Sequence, residues 1–153
     1  MLYEYGEERF APRIAKAIIA TRAIRPIERT SQLTDIITNA VPSFYAHRKT
    51  HPATKTFQAL RIVVNDELSA LSEALNKAFS RLAPGGQMAV IAFQSLEDRI
   101  VKRLMNEKIL EEKGRRITKK PITPSQEEIS MNARSRSAKL RIVEKVVAPQ
   151  KTI

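Results

Sequence analysis

Apolar side chains recur along this chain in two rhythms, every three or four residues over most of its length and almost without interruption in one short run. Between Gly6 and Arg22, Phe10, Ile14, Ala17 and Ile18 fall at helical spacing, with Arg and Lys on the opposite face. Pro12 lacks an amide donor and disfavours helix at the residue before it, so the regular helix is expected to begin at about Pro12 or to kink there. A second helix is expected from Thr30 or Ser31 as N-cap, with Leu33, Ile36, Ile37, Ala40 and Val41 on one face and Pro42 beyond its end. Ser43 to Thr56 then reads as a polar, basic connection. From about Lys55 to Leu82, Phe57, Leu60, Val64, Leu68, Leu71, Leu75, Phe79 and Leu82 keep helical step, which predicts one helix on the order of 40 Å long if unbroken. A-P-G-G at Ala83 to Gly86 ends it and turns the chain. The run Q-M-A-V-I-A-F that follows reads as a strand buried on both faces, as parallel strands are. Ser95 is the expected cap of the next helix, whose first turn holds Glu97 and Asp98, as the helix dipole favours. Two β-rich pieces, R-I-T-K-K-P-I-T and S-A-K-L-R-I-V-E-K-V, flank a short helix expected to start at Ser125, and the tail 148–153 is expected to be disordered. The pattern is α/β.

Composition narrows the partners. The chain has 153 residues with 27 Lys and Arg against 16 Asp and Glu, a formal net charge of +11, which points to an anionic partner and first to nucleic acid. Cysteine is absent and the two histidines, His47 and His51, are too few for a zinc cluster, so no metal is expected. The N-terminal M-L-Y-E-Y-G-E-E is acidic where a signal peptide would be basic, and no apolar run is long enough for a membrane span; a cytoplasmic protein without a membrane partner is expected. With no Trp and 5% aromatic residues, few rings are present for stacking bases.

Five motifs stand in one order: Y-G-E-E-R-F-A from Tyr5, H-P-A-T-K-T-F-Q-A-L-R-I from His51, L-A-P-G-G from Leu82, F-Q-S-L-E-D-R-I-V-K-R from Phe93 and N-A-R-S-R-S-A-K-L-R from Asn132. Together they closely resemble the RsmH (MraW) family of small-subunit rRNA cytosine-N4 methyltransferases, from Tyr3 to about Val146. The resemblance implies the C-terminal part of a Rossmann-like, S-adenosylmethionine-dependent methyltransferase domain, preceded by part of an inserted helical domain. Residues 1–47 would be the remainder of that insertion, which recognises substrate, and 48–147 the catalytic part. The implied activity is N4-methylation of a cytidine in 16S rRNA of the small ribosomal subunit. The family's first half, with its glycine-rich cofactor loop, has no counterpart here, so no cofactor-binding residue is expected in this chain. Isolated, it is expected neither to bind the cofactor nor to transfer methyl. A separately encoded N-terminal half is one expected partner; a non-catalytic basic RNA-binding fragment is the alternative. Gln94 stands where the family has His, and Pro12 where a basic residue is usual.

By resemblance, His51, Thr54, Lys55 and Thr56 lie near the substrate, although either threonine could simply cap the long helix. Gln58, Arg61 and Asn65 share a helical spacing and face either that site or solvent. Gln94 and Ser95 end the expected strand, the edge at which open α/β sheets bind ligands. Arg134, Arg136 and Lys139, with Arg141, and the segment Arg115, Arg116, Lys119 and Lys120 fit phosphate contacts as well as a solvated surface. No catalytic residue is assigned.

Overall fold

Pro12 opens a helix rather than breaking one. In the computed structural model, which describes residues 1–146, α2 runs Ala11–Ile24 with the proline in its first turn, where a missing amide hydrogen costs nothing. The expected disordered tail lies outside the described residues. The chain forms two compact units, Met1–Glu67 and a second that begins at Leu68.

The first unit is helical. A short α1, Leu2–Gly6, precedes α2; α3, Thr30–Ala40, α4, Ser43–Ala46, and α5, Thr54–Val64, follow. Ile14 and Ile37 are fully buried beside Val41, Tyr45 and Ala59. The cap of α3 is not a hydroxyl as expected: Arg29 takes the cap position, and the Gln32 side-chain oxygen accepts the Glu28 and Arg29 amides at 2.9 Å each. The connection from Ser43 is also more ordered than its polarity suggests, because Tyr45 is buried and its hydroxyl donates to the carboxylate of Glu8 at 3.1 and 2.9 Å. Glu8 is itself wholly buried and also accepts the Phe10 amide at 2.8 Å. Gly6 lets α1 approach α5, since a Cβ there would lie 2.7 Å from the Lys55 carbonyl oxygen and 3.3 Å from Ala59 Cβ. Gly6→Ala is therefore expected to destabilise the chain by about 1–3 kcal/mol, read as a lower thermal midpoint by circular dichroism.

The single helix expected from Lys55 to Leu82 is two helices. α5 stops at Val64, Asp66 takes a left-handed φ of 50°, and α6 starts afresh as Glu67–Arg81. Asn and Asp tolerate that conformation better than other non-glycine residues, and Asn65–Asp66 supplies both in a row. Glu67 fastens the break: its carboxylate accepts from Arg61 at 2.7 and 3.1 Å and from Asn65 at 3.5 Å. Val64 and Leu68 keep the apolar step across the interruption, which hides it from a periodicity argument.

In the second unit, Leu75 and Phe79 of α6 pack with Met88, Val101, Leu104, Met105 and Val143. At the Pro-Gly-Gly turn Gly85 adopts φ 80°, a conformation that suits glycine, and its amide donates to the Lys145 carbonyl at 2.7 Å. The Lys145 ammonium reaches the Ser80 and Leu82 carbonyls at 2.8 and 2.7 Å, satisfying acceptors at the end of α6. β1, Gln87–Ala92, leads into α7, Ser95–Leu110; β2, Gly114–Arg116, and β3, Lys139–Lys145, complete a three-stranded sheet of order β1-β3-β2. β3 runs antiparallel to both neighbours, with Gln87 opposite Glu144, Ala92 opposite Lys139, and Arg116 opposite Val143. The expectation of a strand buried on both faces therefore fails. Met88 and Ala92 are buried, whereas Ala89 and Ile91 on the alternate face are exposed. β1 has a neighbour on one side only and is an edge of this sheet. The expected helix at Ser125 is α8, Gln126–Met131, and the Ser125 hydroxyl accepts the Glu128 amide at 3.1 Å. A 3-10 helix, Ala133–Ser137, then leads into β3.

Candidate nucleic-acid interface

The polar residues around the start of α5 separate by what holds them. His51 is exposed and its Nδ1 accepts the Ala53 amide at 3.2 Å, while Thr54 stands exposed as the first residue of the helix. The Lys55 ammonium donates to the Glu7 carbonyl at 2.8 Å, which ties the start of α5 to the end of α1. Thr56 points inward and is fully buried, and its hydroxyl makes no hydrogen bond among the described residues. Gln58 is half-buried. Arg61 and Asn65 both serve the Glu67 carboxylate across the helix break, and the Arg61 hydrogen bond is the main reason that carboxyl titrates below its ordinary value. Of the exposed residues in this group, His51 and Thr54 are the two whose side chains are not tied to Glu67.

A second group meets at one end of the sheet. Gln94 is the half-buried cap of α7, directly after β1, and Ser95 is the exposed first residue of that helix. The Glu97 carboxylate reaches back to accept the Phe93 and Gln94 amides, each at 3.2 Å, so it performs the capping expected of Ser95. Asp98, one residue on, is buried and grips the start of β3: Arg141 donates to its two oxygens at 2.6 and 3.1 Å, and Lys139 to one of them at 3.3 Å. The Arg141 hydrogen bond, ahead of the one from Lys139, holds the Asp98 carboxyl below its usual range against the opposing effect of burial. The register that sets Ala92 opposite Lys139 thus brings Gln94, Ser95 and Lys139 to a common sheet edge. Arg134 and Arg136 are exposed on the 3-10 helix just before it.

Sequence reasoning passed over two organising groups. Glu8 and Tyr45 are 37 positions apart and share no periodicity, so only the fold joins them. Lys102 reads as one more cation on the wet face of a helix, yet it lines a cleft with Arg116 and Lys119.

A model of the MraW methylase family matches residues 1–146, which is every described residue. The chain belongs to that family. It is 50% identical to the ribosomal RNA small subunit methyltransferase H of Heliobacterium modesticaldum over 161 residues, covering 95% of this chain and 51% of the relative. To the protein of the same name in Synechococcus elongatus it is 51% identical, over 96% of this chain and 48% of the relative. The Deinococcus deserti protein of that name is 52% identical, over 98% of this chain and 48% of its own length. The chain spans about half the length of the curated relatives it matches.

The methyltransferases of this family imply S-adenosylmethionine, and the described residues do not fit it. The glycines end α1 (Gly6), form the helix-to-strand turn (Gly85, Gly86) and open β2 (Gly114), so none lies between a strand and the helix after it. Of the two strand-to-helix passages among the described residues, the short one after β1, Phe93–Gln94, has its amides occupied by Glu97, and the longer one from β2 to α8 holds no glycine. Among the described residues no three His, Cys, Asp or Glu side chains gather to hold a metal, and no helix is long and apolar enough to cross a membrane.

Proposed function

We propose that this chain is the C-terminal, substrate-side part of an S-adenosylmethionine-dependent enzyme that methylates N4 of a cytidine in 16S rRNA, working in the cytoplasm on the small ribosomal subunit. The observation that carries the reading is the family match over residues 1–146, with relatives named as small-subunit rRNA methyltransferases about twice the chain's length. The net charge of +11 agrees with an RNA substrate. In this reading residues 1–47 belong to an inserted helical domain that meets RNA and the following residues to a Rossmann-like catalytic domain.

The chemistry asked of these residues is positional: an unpaired cytosine has to be held with its exocyclic amine aimed at the donor. At that end of the sheet the Gln94 side-chain oxygen, buried and without a hydrogen-bond partner among the described residues, would accept an amine hydrogen once uncovered, and Ser95 can bond a base or ribose. In the first unit, taken by itself, His51 and Thr54 are exposed polar candidates for contact with RNA. Lys55 and Gln58 are retained as candidates beside them. Thr56, Arg61 and Asn65 act through the geometry of α5, the first by filling its buried side and the others by closing the break after it. Arg134, Arg136 and Lys139 supply phosphate contacts. The cofactor comes with the half of the enzyme that this chain does not represent, and the open edge of β1, flanked by exposed Ile91 and Phe93, is where that half would continue the sheet.

The test pairs the chain with the remaining half of a relative. The chain alone is expected to transfer no labelled methyl group from S-adenosylmethionine to unmodified small subunits, and the co-expressed halves are expected to transfer it to a cytidine N4, identified by mass spectrometry of digested 16S rRNA. Transfer by the chain alone, or stoichiometric cofactor binding to it in isothermal titration, overturns the division of labour. The charge also supports a second reading, a non-catalytic RNA-binding fragment. Salt-sensitive rRNA binding with no transfer from the paired halves selects that one.

A further inference from the structure

We propose that the cleft between α7 and the β2–β3 side of the second unit seats a phosphodiester of the RNA, held by Lys102, Arg116 and Lys119. The inference rests on the RNA reading above and assigns it a definite contact surface. Many cations of this unit are already neutralised. Arg115 is paired with Glu144 at 2.9 Å, Lys139 and Arg141 with Asp98, Lys108 and Lys113 with Glu111, and Lys77 with Glu73. Lys102, Arg116 and Lys119 are exposed, have no carboxylate partner among the described residues, and converge on one cleft of about 50 Å³. No Asp or Glu lines it, and Arg141, which also reaches its wall, is committed to Asp98.

Two details favour a phosphate ester over a diffuse basic surface. The Arg116 guanidinium donates to the Asn106 side-chain oxygen, a neutral acceptor that orients the fork without cancelling its charge. An oriented guanidinium loses less freedom when it takes a phosphate oxygen, and its planar donors match that geometry. Beneath the cations the cleft is walled by Met105 and Val143, both buried, so low-dielectric material backs the charges and strengthens their field toward an incoming anion. Three cations around one small cleft with no carboxylate in its lining suit an oxyanion. The contact is therefore one of position and affinity, not of base sequence.

The experiment uses the full chain and a transcript of small-subunit rRNA, with binding followed by fluorescence anisotropy across a salt series. A Lys102→Gln/Lys119→Gln double variant is compared with a Lys77→Gln/Lys113→Gln double variant that removes the same charge elsewhere in the unit. The first is expected to bind roughly 10-fold or more weakly at low salt, with the log–log salt slope reduced by about 2; the second should stay within about twofold of the parent. Arg116→Gln should weaken binding further, while the thermal midpoint of each variant stays at the parent value. Equal losses in both doubles, or none in either, overturn the cleft while leaving RNA binding intact. If the parent itself fails to bind the transcript, the RNA reading fails and the cleft assignment with it. Inorganic phosphate displacing the transcript completely at matched ionic strength would reassign the cleft to a free anion, and a polyglutamate probe bound with the same variant dependence would reassign it to an acidic protein.

Discussion

Replacing Asp98 with asparagine is expected to cost the chain about 3 kcal/mol and to lower its thermal midpoint by more than about 10 °C. Asp98 is 8% exposed and is the shared acceptor of Arg141 and Lys139, with the Arg141 fork at 2.6 and 3.1 Å. Asparagine keeps the volume but removes the charge that two cations share, and Arg141, with 17% of its side chain exposed, is left partly buried without a counter-ion. That penalty exceeds anything lost at an exposed pair such as Lys77 and Glu73, where removal should change stability by less than about 1 kcal/mol. The same pair sets an acid limit. Because the folded carboxyl titrates below its ordinary value of 3.8, its contribution is complete above that pH and disappears as pH falls through the lower folded value. The parent should therefore lose stability on acidification below about pH 4 more steeply than Asp98→Asn, as measured by urea melts at successive pH values. Parallel acid profiles for the two proteins would refute this account of Asp98.

In the first unit the corresponding point is Glu8. Glu8→Ala is expected to destabilise by about 2–4 kcal/mol, because it opens a cavity and strands the Tyr45 hydroxyl and the Phe10 amide without an acceptor. Tyr45→Phe should cost less, since it removes a donor from a carboxylate that still has the Phe10 amide. Burial first, then the hydrogen bond to Glu8, pushes the Tyr45 phenol from 10.0 up to about 12. The sign follows from linkage. A raised folded value means that the neutral phenol stabilises the fold fully below pH 10, and that this contribution is lost as the pH rises through about 12. Ultraviolet difference titration of tyrosinate should show a late component near pH 12 in the parent that is missing from Tyr45→Phe. A parent without that component would exclude the buried Glu8–Tyr45 pair.

How much of this was legible in the sequence depended on the range over which each feature is determined. Pro12 at a helix start, Ser125 as a cap, Pro-Gly-Gly as a helix-to-strand turn and a strand beginning at Gln87 are all decided within a few residues, and local chemistry suffices. The break at Asn65–Asp66 is local too, but it preserves the apolar step from Val64 to Leu68, and periodicity carries no record of one left-handed residue. The burial of β1 was misjudged for a different reason. A short apolar run reports only that the strand is apolar, whereas which of its faces is covered depends on what packs there, and Met88 meets Leu75 and Phe79 of α6 and Val101, Leu104 and Met105 of α7. The candidate site divides in the same way. The motifs located the residues, but only the fold distinguishes Thr56, turned into the core, from Thr54 beside it in solvent. Nor could charge counting separate Arg115, neutralised by Glu144, from Arg116, which is held open by Asn106.

The order of strands in the sheet has a consequence for how the protein is made. The middle position belongs to β3, the last of the three described strands in chain order, and β1 and β2 are not neighbours in the sheet. During synthesis the helices of the first unit can pack on one another as they emerge, since their core is complete by Ala59. The sheet of the second unit has no such early step. Among the described residues β1 and β2 are joined only through Lys139–Lys145, so this three-stranded pairing cannot be completed until both outer strands have already been made.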